Sequence, residues 1–139
     1  MKIGFDIHGV IDTYPIVFSS FSRKLKEEGH EIHIITGRPQ KECEQRVRDA
    51  GVVFDHFFSI VDHHLSRKEP SMFQKDGTWW MDNQVWIRTK GDYAEYTGLD
   101  VHLDDSPEYL PFFPETCSTI LVRDNFIEVF KIISEMGGL

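Results

Sequence analysis

A chain of 139 residues is long enough for one domain with a substantial core, and 40% hydrophobic with 27% charged residues is an ordinary globular composition. The net charge of −8 argues against a basic nucleic-acid-binding surface, so nucleic acid is a disfavoured partner. No apolar run approaches the roughly 20 residues of a membrane helix, no leader-like start is visible, and Cys43 and Cys117 lack metal-ligand spacing. No membrane partner and a reduced, cytoplasmic setting are therefore expected.

The first element is carried by residues 2–13, KIGFDIHGVIDT. Ile3, Phe5 and Ile7 alternate as in a short buried strand, and the run breaks at His8-Gly9. Asp6 falls at the carboxyl end of that strand, where open α/β sheets bind their ligands. A carboxylate there can act as a nucleophile or hold a metal. Gly9 permits a tight turn, and Asp12 or Thr13 can cap a helix that has Pro15 in its first turn.

That helix is predicted over 15–28, with Val17, Phe18, Phe21 and Leu25 inward and Gly29 just past its end. Residues 31–36, EIHIIT, read as the second strand. Gly37-Arg38-Pro39 then turns into a second helix that stops before Gly51, with Cys43, Val47 and Ala50 as its apolar stripe. Residues 57–61, FFSIV, read as a third strand. Over 63–88 the pattern changes: Lys75-Asp76-Gly77 and Asp82-Asn83 are turn chemistry between short apolar runs. This segment is predicted to be a small β insert, a flap or minimal cap, whose Trp79, Trp80 and Trp86 pack as a satellite cluster. A helix is predicted over 90–97, strands over 101–104 and 118–122, and a final helix from near Asn125 with Phe126, Val129, Phe130 and Ile133 inward.

Strands alternating with helices imply a three-layer, doubly wound parallel sheet in one domain spanning 1–139. Its C-terminal edge would collect Asp6 and His8, the Thr36-Gly37-Arg38 turn, Lys90, and Asp104-Asp105. Three carboxylates in one crevice repel each other unless a cation sits between them, and an all-oxygen donor set favours magnesium. Thr36, the amides around Gly37 and the positive charge of Lys90 suit a phosphoryl group. His63-His64 lack a third ligand at a useful spacing.

With these motifs in order, FDIHGV, IITGR, Lys90 before a helix, and HLDDSPE, the chain resembles the haloacid dehalogenase (HAD) superfamily of phosphatases and phosphotransferases. The resemblance implies a Rossmann-like sheet of strand order 5-4-1-2-3. It implies a magnesium-dependent phosphatase or phosphotransferase working through an aspartyl-phosphate, with a phosphorylated small molecule or an exposed phosphate on a macromolecule as substrate. On that resemblance Asp6 is the nucleophile, and Thr36 and Lys90 hold the phosphoryl oxygens; the chain's own pattern adds the Gly37 amides as phosphate donors and Arg38 as either a substrate contact or a surface arginine at a helix start. On the same resemblance Asp6, Asp104, Asp105 and the main-chain oxygen of His8 hold Mg2+. The family's second aspartate, its general acid/base, is replaced here by His8. Imidazole transfers protons near neutrality, so His8 is the second catalytic candidate. The alternative reading is a non-catalytic phosphate- or metal-binding module that lost that aspartate. A response-regulator receiver uses similar groups, but its acidic pair should come early in the chain, and here the pair comes late.

Overall fold

The computed structural model describes residues 1–69, 71–126, 128, 131 and 132. Its strands are β1 (Lys2–Phe5), β2 (Glu31–Thr36), β3 (His56–Ser59), β4 (Phe73–Lys75), β5 (Thr78–Trp80), β6 (Val101–Asp104) and β7 (Ser118–Leu121). Its α-helices are α1 (Pro15–Glu27), α2 (Gln40–Asp49), α3 (Ile60–Ser66) and α4 (Asn83–Thr97). A tight looped segment, Ile7–Ile11, follows β1, and a short 3-10 segment, Pro107–Phe112, follows β6.

Among the described residues, five strands form one sheet in the order β3-β2-β1-β6-β7, and every neighbouring pair is parallel. β4 and β5 form a separate antiparallel hairpin. The order expected from sequence, 5-4-1-2-3, numbered only strands of the parallel sheet. With the hairpin strands numbered in, the observed order is 3-2-1-6-7. β1 is central, with β2 on one side and β6 on the other, as in a Rossmann-like α/β fold.

The alternation of side chains along each strand builds two cores, one per sheet face. Ile3, Phe5, Ile32, Ile34 and Leu103 pack with Phe18 and Leu25 of α1 and Cys43 and Val47 of α2. Phe126 packs against this core too, its ring 5.8 Å from Phe18. Val129, Phe130 and Ile133, assigned inward positions from sequence, lie outside the described residues. On the opposite face Ile35, Ala94, Leu99, Phe113 and Cys117 form the second core. Gly4 serves that face by having no side chain: a Cβ there would meet His102 Nδ1 and Ile35 Cδ1, each at 2.7 Å.

Several boundaries differ from the sequence reading. The third strand stops at Ser59, two residues before the predicted end, because the Ser59 hydroxyl accepts the Asp62 N–H at 3.1 Å and starts α3. The helix predicted over 90–97 begins at Asn83, because Asp82, read as part of a turn, caps it through the N–H groups of Gln84 and Val85. Trp86 is therefore helical, and it shares a helix face with Lys90 four residues on. The β insert contracts to 73–80, closed by a two-residue turn in which Asp76 and Gly77 both have positive φ (52° and 76°).

Candidate functional site

The parallel register sets the site. Phe5 pairs with Ile34 and Leu103, so Asp6, Thr36 and Asp104 all leave the sheet at its C-terminal edge. The Asp6 N–H donates to the Leu103 carbonyl at 3.0 Å, which ties the start of the loop to β6. That loop folds back at Gly9 (φ 77°), where a Cβ would collide with the Asp105 carboxylate. Only glycine lets the loop and Asp105 approach this closely.

Carboxylate oxygens of Asp6, Asp104 and Asp105 lie within 4.8 Å of one another. Lys90 enters from α4, is buried, and places Nζ 2.7 Å from Asp104 and 3.3 Å from Asp6. It is not a solvated surface lysine. The neighbouring cations go elsewhere: Lys75 is exposed on the hairpin, and Arg88 lies over the Phe112 ring. Burial pushes the Asp6 carboxyl up to about 8, against the pull of the Lys90 ammonium. Burial also works against Asp104, but the hydrogen bond from His102 and the charge of Lys90 hold it well below the usual carboxylate range. Lys90 stays protonated well above its ordinary range, because the two carboxylates outweigh its own burial.

One ammonium against three carboxylates leaves the cluster short of positive charge. Its donors are all hard oxygens, two of the three side chains are buried, and such a set could hold a divalent cation. Asp6, Asp104 and Asp105 are the side chains that would hold the ion.

The Thr36 side chain is fully buried at the end of β2, and its hydroxyl has no partner among the described residues. A buried hydroxyl without a partner is costly unless a ligand or water completes it. Gly37 and Arg38 line the adjoining cavity of about 480 Å3. The start of α2 is less open to phosphate than the sequence implied, because Asp62 Oδ2 accepts the Gln40 N–H at 2.9 Å. The turn at 37–38 is what remains for that role. His8 lines the same cavity with Nδ1 3.2 Å from Asp12 Oδ2, while its Nε2 is buried and without a partner among the described residues.

Further contributors lie outside the site residues read from sequence. His102 is fully buried, stacks on Phe113 at 4.7 Å and reaches Asp104 Oδ2 at 2.9 Å. Its position two residues before Asp104 on one strand was the available signal. Asp12, read only as a helix cap, holds the His8 ring and accepts the Gly9 N–H at 2.8 Å. Tyr109 puts its ring 4.3 Å from Lys90 Nζ and accepts the Trp86 indole N–H at 2.9 Å. Trp79, Trp80 and Trp86, read as a packed cluster, instead line the cavity, together with Gly77 of the hairpin turn and Thr78. His63 and His64 belong to no metal-ligand cluster among the described residues; His64 Nε2 bonds the Thr89 hydroxyl at 2.9 Å.

No helix among the described residues is long and apolar enough to cross a membrane. Comparison with family models, curated proteins and solved structures finds no match to this chain.

Proposed function

We propose that the protein is a magnesium-dependent phosphomonoester hydrolase of HAD type that works through a phosphorylated Asp6. The observation that carries this reading is the convergence of the Asp6, Asp104 and Asp105 carboxylates with buried Lys90, beside a cavity lined by Asp6, Lys90 and Asp105.

In the first step an Asp6 carboxylate oxygen attacks phosphorus as the bond from phosphorus to the leaving oxygen breaks. His8 Nε2 gives its proton to that oxygen, with Asp12 holding the ring by Nδ1. In the second step His8 takes a proton from water, whose oxygen displaces Asp6 from phosphorus and restores the free carboxylate. Lys90, anchored between Asp104 and Asp6, adds positive charge beside the phosphoryl oxygens. The Thr36 hydroxyl and the 37–38 turn complete the phosphoryl site, with Arg38 at the rim. Magnesium, when bound, supplies the charge that lets carboxylates and phosphate share one pocket. The tryptophan rings that line the cavity favour a leaving group with a planar, apolar face.

The test is magnesium-dependent phosphate release from an aryl phosphate. Asp6→Asn should abolish release while leaving the circular dichroism and melting curve of a folded protein. Beryllium fluoride with magnesium should bind the parent protein and not the variant. Undiminished turnover by Asp6→Asn would place the nucleophile elsewhere. A folded parent that binds magnesium but releases no phosphate from any of a panel of phosphomonoesters would identify a binding module instead.

A further inference from the structure

A second cluster of ligating side chains sits at the other end of the sheet. Glu31 opens β2, His33 follows two residues on, and His56 opens β3 in direct register with His33. Period-two alternation puts Glu31 and His33 on one face, and the parallel register brings His56 beside them. His33 Nε2 lies 2.7 Å and His56 Nε2 3.1 Å from the same Glu31 oxygen, Oε1. The two imidazole rings are 4.6 Å apart. From Glu31 to Thr36 the strand rises about 16 Å, so this cluster is well separated from the Asp6 edge.

We propose that Glu31, His33 and His56 form a second metal site, for zinc or a neighbouring first-row divalent ion rather than magnesium. Two imidazole nitrogens and one carboxylate oxygen are the donors such ions prefer, whereas magnesium takes oxygen and water. The three atoms already lie within 4.8 Å of one another. Bond lengths of roughly 2.0–2.1 Å around a tetrahedral ion need ligand atoms roughly 3.3 Å apart. The observed 2.7 and 3.1 Å contacts therefore have to open by only a fraction of an ångström.

The His33 ring is already aimed. It is buried, and its Nδ1 lies 2.6 Å from the Tyr93 hydroxyl on α4. Without metal one ring proton can sit on Nε2 and point at Glu31. With metal that proton moves to Nδ1 and is donated to Tyr93 Oη, which frees Nε2 to ligate. An outer-shell partner on the far ring nitrogen is the usual companion of a metal-bound histidine. His56 and Glu31 are partly exposed, so an ion can enter from solvent and water can fill the remaining position. An ion there would staple β2 to β3 at the end of the sheet that the phosphoryl site does not use.

Cobalt(II) is the probe, because a four-coordinate site with nitrogen ligands gives visible absorption bands. The protein is used without a polyhistidine tag. One equivalent of cobalt(II) at pH 7.5 should give those bands in the parent and equally in Asp105→Ala, which disables the acidic cluster. Excess magnesium should leave them in place, and zinc should abolish them. His56→Ala, a change at a half-exposed side chain, should remove the bands while the protein stays folded. Tyr93→Phe should keep the three ligands and weaken zinc binding roughly tenfold or more. Bands that persist in His56→Ala, or bands absent from the parent, would overturn the proposal and leave a carboxylate–imidazole hydrogen-bond cluster. Loss of phosphatase activity with the bands intact would count against the phosphoryl site alone.

Discussion

Replacing Lys90 by methionine keeps the length of the side chain and removes the positive charge. The parent has Nζ at 2.7 Å from Asp104 and 3.3 Å from Asp6, with both carboxylates buried. At an effective dielectric of about 20, the 2.7 Å separation from ionised Asp104 corresponds to a gross attraction of about 6 kcal/mol. Most of this repays the cost of taking the ammonium and the carboxylates out of water, and methionine no longer incurs the ammonium's share. What stays behind at pH 7 is the buried Asp104 carboxylate without its counter-charge, since Asp6, its pKa pushed up to about 8, is mostly protonated there; stranding one partner of a buried pair costs about 3–5 kcal/mol. For a chain of this size, that is a fall in Tm of about 10–20 °C. Guanidinium denaturation at pH 7 in the absence of divalent ions measures it directly. Adding Asp104→Asn to Lys90→Met removes the stranded charge and should return about 1–3 kcal/mol, a coupling that a double-mutant cycle reads. A loss under about 1 kcal/mol would mean that the carboxylates are not buried against Lys90 in solution, and the electrostatic account of the site would fall with it.

Three further predictions rest on other contacts. Magnesium at 100 times its dissociation constant should stabilise the parent by about 2.7 kcal/mol, and Asp105→Ala should abolish the rise in Tm; an undiminished rise removes Asp105 from the ion site. His8→Ala should lower phosphate release by roughly 10²–10⁴-fold, and Asp12→Ala should lower it less, because the imidazole remains but is no longer held; equal rates for parent and His8→Ala between pH 5 and 8 would leave His8 as a spacer. Asp55 feels burial that raises its pKa, but Lys26 Nζ at 2.6 Å and the Ile32 N–H at 2.8 Å bring it below its ordinary value. A depressed folded pKa stabilises above the unfolded pKa of about 3.9, and that contribution disappears as pH falls through the folded value. Asp55→Asn should thus be less stable than the parent by about 1–2 kcal/mol at pH 7, with the gap closing in acid; a gap that is constant from pH 7 to pH 2 would refute the ion pair.

The parts of this protein readable in its sequence are those set by short-range rules. Alternation at Ile3 and Phe5, the EIHIIT run and the VHLD run with its terminal acid each specify a strand and its end within a few residues. The Asp76-Gly77 turn specifies a hairpin through the positive φ it permits. Strand–helix alternation then leaves few topologies open, and the polar residues at strand ends come to one edge because all the strands run the same way. Where two local rules compete, sequence does not arbitrate. Ser59 falls in an apolar run that reads as strand, and Asp82 serves a turn as readily as a helix cap; the assembled structure uses both as caps. Tertiary structure alone decided the partners. Burial turned Lys90 from one of several basic residues into the counter-ion of Asp6 and Asp104. The register of β6 put His102 under Asp104, and the loop after β1 gave His8 to Asp12. The register of β2 against β3 brought His56 to Glu31 and His33, 25 residues apart in the chain at Glu31 and His56 but adjacent across one strand pair. Such contacts depend on which strands become neighbours and on how deeply each side chain is buried, and both are properties of the assembled sheet rather than of any window of sequence.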